Sequence, residues 1–321
     1  MSPFDHQTPG SLDEALGLLT PGAAYLAGGT DLVTRLKEGL VRPDRLIDLQ
    51  RVAELDGGIR AGGDRLRLGA LARLADVAAD AGVRADWTAL AEACEQAASP
   101  QLRNMGTIAG NLLQDSRCWY YRGPFHCLLK GGERCPARDG ENREHALFGY
   151  SDDGCVHVHP SDPAVALVAL AAHVRLRDAN GERELAVAEL LHVPTREDRR
   201  VHLLPPGAII TAVEVPAWPG RSVYLKAMDR AVWTFALASV ALAVELDGGR
   251  VRQARVVLGG VAGIPWRAEA AEAALAGSAL DEDVIARAAE AATEGARPLA
   301  HNGYKVALVQ GLVRQALRRL R

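Results

Sequence analysis

Residues 101–163 read QLRNMGTIAGNLLQDSRCWYYRGPFHCLLKGGERCPARDGENREHALFGYSDDGCVHVHPSDP. The stretch opens on a glycine-containing turn, Gly106-Thr107-Ile108-Ala109-Gly110-Asn111. It then carries four of the chain's five cysteines, Cys118, Cys127, Cys135 and Cys155, within 38 residues. No helix or strand period runs through the cysteine part, which is crowded with Gly, Pro, Arg, Asp and aromatics. So long a loop inside a compact domain is as a rule functional or disordered, and clustered cysteines argue against disorder. The sulfurs are expected to bind something.

On the N-terminal side, SLDEALGLLT (11–20) reads as a helix opened by a Ser cap with acidic residues in its first turn. A short apolar strand at 23–26 runs into Ala27-Gly28-Gly29-Thr30-Asp31-Leu32, helical spacing follows over 32–40, and a second strand is expected at 46–49. In this strand, glycine turn, helix, strand unit, paired glycines let backbone N–H groups approach a ligand, and the helix start adds its positive end. Phosphate or pyrophosphate is the natural ligand, and the alternative is a plain tight turn. Neither the G-x-G-x-x-G dinucleotide fingerprint nor a Walker A sequence is present. A strand pair at 58–61 and 66–68, turned by 62–64, and helices at 74–81 and 87–98 lead to the second glycine turn. Two glycine turns suit a ligand with two ends.

On the C-terminal side, Asp162-Pro163 is read as the start of a helix over 164–172, with Asp162 as its cap. Strands are expected at 174–176, 183–185 and 209–215, and Trp218-Pro219-Gly220 marks a domain boundary. Three further strands (222–227, 238–246, 253–260) precede helices at 266–275, 281–292 and 304–320, an α+β layer. The arginines of the last helix read as a solvated or partner face near a helix C-terminus.

At 321 residues the chain has room for about two domains. A net charge of −3 gives no ground for nucleic-acid or membrane-surface binding. No apolar run reaches the roughly 18 residues of a membrane span, so no direct membrane insertion is expected. Residues 1–19 lack a basic segment followed by an apolar one, so no signal peptide is expected either.

Five cysteines are too few for a disulfide-built fold of this length. Cys94, in an alanine-rich helical pattern, reads as a small buried hydrophobe. The other four fall as C-x8-C-x7-C-x19-C. Structural zinc sites favour pairs two to four residues apart, and none is that close, although His126, His145, His157 and His159 are available as substitutes. Two disulfides would require export, and a catalytic cysteine needs one activated thiol rather than four. A [4Fe–4S] cluster needs four thiolates and tolerates long spacings. From spacing alone, zinc and iron–sulfur both stand.

LAGGTDLVTRLKEG (26–39), RLIDL (45–49), LRLGALARLADVA (66–78), QLRNMGTIAGNLLQDSRC (101–118), HPSDPAVAL (159–167), YLKAMDRAVWTFALASVA (224–241) and VVLGGVAGIPWRAEAAEA (256–273) run in order along nearly the whole chain. Together they resemble the FAD-binding medium subunit of the xanthine dehydrogenase, or molybdenum hydroxylase, family. The four-cysteine insertion resembles a sub-branch: the flavin subunits of periplasmic-type aldehyde oxidoreductases and of 4-hydroxybenzoyl-CoA reductase, which hold an extra [4Fe–4S] cluster there. The wording is nearer the aldehyde oxidoreductase side.

The resemblance implies an α+β fold: a two-lobed α/β FAD-binding domain over 1–217, with the cysteine insertion at about 115–158, then a three-stranded antiparallel sheet with helices over 218–321. Carried over, Leu26, Ala27, Gly28, Gly29, Thr30, Asp31 and Leu32 would cradle the FAD pyrophosphate. Thr107, Gly110 and Asn111 would form a second clamp, Asp162 would bond the cofactor, and Ile209, Ile210 and Lys226 would lie near the flavin. Cys118, Cys127, Cys135 and Cys155 would bind the [4Fe–4S] cluster, and no side chain of this chain is expected to be catalytic. Partners would be a large molybdenum-cofactor subunit and a small two-[2Fe–2S] subunit, in a heterotrimer or its dimer. The external acceptor would be a ferredoxin or a quinone-linked carrier. The compartment would be cytoplasmic, or periplasmic by co-export with a signal-bearing partner. One departure stands out: where the family often has an acidic residue shortly after the position of Arg230, this chain has Thr234, which puts NAD docking in doubt. The rival readings are a zinc-stabilised, non-enzymatic binding scaffold and a flavoenzyme that acts alone.

Overall fold

The computed structural model describes residues 1–62, 64–231 and 233–321. Gly63, in the middle of the expected 62–64 turn, and Val232 lie outside the described residues. Three sheets organise the chain. The first is all parallel, β1 (Asp5–Gln7), β2 (Ala23–Leu26) and β3 (Arg45–Asp48) in the order β1-β3-β2. The second is antiparallel and combines β4 (Ile59–Gly62), β5 (Arg65–Gly69), β6 (His173–Asp178), β7 (Gly181–Ala186) and β8 (Ile209–Pro216) in the order β4-β5-β8-β6-β7. The third, also antiparallel, runs β12 (Trp266–Arg267), β11 (Arg250–Gly259), β10 (Ala238–Asp247), β9 (Arg221–Ala227). The C-terminal sheet therefore has a two-residue fourth strand beyond the three expected. It uses Trp266–Arg267, and the helix expected from 266 starts at Glu269 instead.

The helices follow cap chemistry. Asp80 breaks the expected 74–81 helix in two, because its carboxylate accepts from the Val83 amide at 2.9 Å and starts a new helix, Ala81–Asp86. Ser161, and not Asp162, caps Asp162–Ala169, through its Oγ and the Ala164 amide at 3.0 Å. The Asp162 carboxylate is thereby free for other work.

The helices Thr88–Gln96 and Asp162–Ala169 pack into one core with the second sheet and with Tyr224, Ala241, Ala243 and Val257 of the third. Polar links stitch the same seam. Trp87 Nε1 donates to Pro216 O at 3.0 Å, and the Ser222 Oγ accepts from the Ala89 amide at 3.1 Å. The other face of the third sheet builds a separate core with the helices Glu269–Leu275, Glu282–Ala291 and Tyr304–Leu320.

The insertion has its own small apolar cluster, in which Tyr120, Tyr121, Leu128, Tyr150 and Val156 surround Cys127, Cys135 and Cys155. It is fastened to the C-terminal unit by residues 297–305. Asn302 Nδ2 donates to His145 O and Ala146 O at 3.1 and 3.0 Å. Lys305, fully buried in the first turn of the last helix, donates to the carbonyls of Glu144 (2.8 Å), His145 (3.2 Å) and Gly260 (2.8 Å). Three acceptors match the three N–H donors of an ammonium group. Lys305→Ala strands them in a dry interior, so urea unfolding is expected to show a loss of about 3 kcal/mol. An unchanged midpoint would contradict this role.

Candidate flavin site and cysteine pocket

The sequence forces two backbone loops together. After β2, Gly28 sits so close to the second loop that an added Cβ would lie 1.9 Å from the Met105 carbonyl oxygen. Gly29 adopts φ +72°, in the left-handed region that glycine enters without strain. Opposite, Thr107 caps the helix Ile108–Leu112 by accepting from the Gly110 amide at 3.2 Å. Leu74 N–H and Ile108 N–H bond Gly106 O and Ala72 O at 3.0 and 2.8 Å, which pins this loop to the second sheet. Among the described residues, no protein acceptor takes the backbone amides of Gly28, Gly29, Thr30 and Asp31. Free amides gathered on one concave turn form a ready anion site. The helix that follows, Leu32–Lys37, is only six residues long, so these amides matter more than its dipole.

The loops divide a two-chambered cleft. A chamber of about 250 Å³ is lined by residues 27–32, Thr107, Gly110 and the strand residues Ile209 and Ile210. A larger chamber of about 540 Å³ shares Thr30, Asp31 and Gly110 with the first and continues past Asn111 and Asp162 to Arg230, Trp233, Thr234 and Phe235. A long ligand would thread both with its middle at the free amides. The cleft therefore fits a dinucleotide such as FAD, whose charged pyrophosphate joins two larger halves.

Of the residues expected to touch the cofactor, Leu26 ends β2 before the turn, while Ala27 to Leu32, Thr107, Gly110, Asn111, Asp162 and Ile209 are all brought to this cleft. Lys226 is not among the residues lining it. The Lys226 side chain is fully buried behind Asp162, to which it donates at 2.8 Å, with a second bond to Gln96 O at 3.1 Å. Tyr224, two residues earlier on the same face of β9, donates its hydroxyl to Asp162 at 2.6 Å. The alternation of a strand was the signal that could have found Tyr224. Burial raises the Asp162 pKa even against this lysine. Asn111 Oδ1 accepts from Ser161 Oγ at 2.5 Å, which ties the second glycine turn to the cap of the helix bearing Asp162.

Cys118, Cys127, Cys135 and Cys155 come to one pocket, and all five cysteines are free thiols. A hydrogen bond from Cys155 pulls the Cys135 pKa down to about 6, and the same bond pushes the Cys155 pKa up. Burial pushes Cys118 up to about 12, and its Sγ lies 3.2 Å from His145 Nε2. Burial also holds His145 and His157 neutral, with pKa values near 4. Among the described residues, no three His, Cys, Asp or Glu side chains are set around a single metal ion. The four thiols gathered with the insertion's apolar cluster match in number the thiolates that a [4Fe–4S] group takes. Cys94 is buried in the main core, among apolar side chains and outside the insertion's cluster. A cavity of about 70 Å³ is lined by residues of both sites, Cys118 and His145 together with Asp162 and Phe235.

Gly28→Ala is expected to abolish high-affinity flavin binding while circular dichroism stays native, since the added methyl meets backbone rather than a flexible side chain. Gly311→Ala, in a helix with nothing within 4 Å of the new Cβ, is the control. It should keep flavin and gain about 0.5–1 kcal/mol. Equal flavin titrations for the two variants would refute the close-approach account.

A family profile described as the FAD binding domain in molybdopterin dehydrogenase matches residues 2–218. A second, the CO dehydrogenase flavoprotein C-terminal domain, matches residues 223–320. The aldehyde oxidoreductase FAD-binding subunit PaoB of Escherichia coli (strain K12) is 39% identical over 302 residues, covering 90% of this chain and 89% of that protein. The carbon monoxide dehydrogenase medium chain of Hydrogenophaga pseudoflava is 28% identical over 98% of this chain and 96% of its own. A solved carbon monoxide dehydrogenase structure from the same organism superposes with a TM-score of 0.77 at 29% identity, covering 99% of this chain and 97% of that one. Sequence, fold and the two-loop cleft agree: the chain belongs to the FAD-binding subunits of the molybdopterin-dependent dehydrogenases, which are oxidoreductases.

Proposed function

We propose that this chain is the electron-relay subunit of an aldehyde oxidoreductase-like molybdenum hydroxylase, holding FAD in the two-chambered cleft and a [4Fe–4S] cluster on Cys118, Cys127, Cys135 and Cys155. One observation carries the flavin half of this reading: two glycine loops in backbone contact, with four unpaired amides at their junction. The cluster half is supported by four thiols gathered at one small core with Tyr120, Tyr121, Leu128, Tyr150 and Val156. The 39% identity to an aldehyde oxidoreductase subunit favours that side over a 4-hydroxybenzoyl-CoA reductase-like complex. By analogy with its relatives, the chain would sit with a large molybdenum-cofactor subunit and a small two-[2Fe–2S] subunit. Electrons would leave to an external acceptor such as a ferredoxin or a quinone-linked carrier.

The two groups supply the redox chemistry, which lets two-electron and one-electron steps meet in one subunit. The chain's own residues bind, orient and exclude water. The amides of residues 28–31 would donate hydrogen bonds to a pyrophosphate. Asp162, held by Tyr224 and Lys226, presents a fixed carboxylate to the larger chamber. Tyr120, Tyr121 and Tyr150 shield the sulfurs from solvent. The Cys118–His145 contact favours a second reading, a Cys/His zinc site beside the same flavin.

An anaerobic ultraviolet–visible spectrum through dithionite reduction separates the readings. Flavin bands over a broad brown absorption, both bleaching, are expected, with Cys135→Ser losing the brown component and its iron. Flavin bands alone, with zinc in the metal analysis, would replace the cluster by the second reading.

A further inference from the structure

The insertion grips the flavin loop through one helix face. Asp31, Arg35 and Glu38 stand at positions i, i+4 and i+7, and all three reach residues 115–122. One Asp31 oxygen accepts from Arg117 at 2.8 Å and from Arg122 at 2.9 Å, and the other from the Asp115 amide at 3.0 Å. Arg35 pairs with Asp115 at 2.9 Å, and Glu38 with Arg122 at 3.0 Å. Asp115 also accepts from the Tyr121 hydroxyl at 2.6 Å. The side chains of Asp31, Asp115 and Arg122 are only 14%, 13% and 11% exposed, so solvent screens these pairs far less than surface ones. Asp31 stands at the N-cap of its helix yet makes no capping bond, its carboxylate being turned to the insertion. Arg117 and Arg122 bracket Cys118 in the sequence, and Asp31 closes the turn of unpaired amides.

We propose that FAD binding and occupancy of the four-cysteine pocket are thermodynamically coupled through Asp31. A filled pocket fixes residues 115–122, and these hold Asp31 and the turn before it in the geometry that receives the pyrophosphate. An empty pocket loosens both. The inference rests on the cluster reading above. Coupling of this kind is reciprocal, so bound FAD must equally favour a filled pocket. Arg122 is the positioning residue to probe, because it grips Asp31 but is not among the residues lining either chamber.

The test uses the full chain, purified anaerobically, stripped of flavin and titrated with FAD by fluorescence. Iron content and circular dichroism are recorded for every sample. Cys135→Ser, free of iron, is expected to bind FAD about tenfold more weakly than the iron-replete wild type, within the usual range of coupling. Arg122→Met should weaken FAD similarly, and adding Cys135→Ser to it should cost no further affinity. In the wild type, bound FAD should slow iron loss to a chelator, and in Arg122→Met it should not. A folded, iron-free Cys135→Ser protein that binds FAD like the wild type would overturn the proposal, as would iron loss from the wild type that ignores FAD. An iron-free wild type would instead overturn the cluster reading, a result seen before any variant is made.

Discussion

The flavin cleft hangs on a place where no side chain can be. Gly28 meets the Met105 carbonyl so closely that a single methyl group would collide with backbone. This contact brings the turn after β2 against the turn before the helix Ile108–Leu112, sets the spacing of the two glycine turns, and leaves four amides without protein partners among the described residues. Amides without protein partners are met by water or by a ligand, and gathered on one concave turn they suit an anion. Everything around the seam then works to hold it: Thr107 caps the second loop, Asn111 ties to Ser161, and Asp162 is locked by Tyr224 and Lys226 from the C-terminal sheet. The two units are thus joined by the same residues that shape the larger chamber.

The cysteine insertion is built as a wedge between these units. Its C-terminal part is stitched to residues 297–305 by backbone carbonyls, and its N-terminal part is clamped to the helix after the glycine turn by buried ion pairs. Buried pairs of this kind are poor sources of net stability but strong determinants of one particular geometry once formed. On the proposed reading, that would keep the separation between flavin and cluster reproducible.

Several parts of this picture were legible in the sequence, and the reason is local chemistry. The strand, glycine turn, helix, strand unit at the N-terminus and the Thr107–Gly110 turn follow from neighbouring residues alone, and the cleft gathers nearly all the residues expected there. What escaped was set by contacts distant in sequence or by elements too short to show a period. β1 is three polar residues whose strand character comes only from pairing with β3, and β12 is two residues long. Asp162 was read as a helix cap because Asp before Pro at a helix start suits that role, yet Ser161 took the cap and Asp162 paired with a lysine 64 residues away. Lys226 was expected near the flavin, but its bond to Asp162, which lines the larger chamber, joins residues no local pattern pairs. The Arg122–Asp31 pair joins residues 91 apart, and no spacing rule announces it.

The account's central claim is that the cleft on both sides of the glycine seam holds one dinucleotide by its middle. Comparing the affinity of the flavin-free chain for FAD and for FMN tests it most directly, because FMN lacks the adenylate half that would occupy the second chamber. The account predicts that FMN binds at least about tenfold more weakly, a modest fraction of what a filled chamber contributes. Equal affinities would mean that only one chamber is used, and would contradict it.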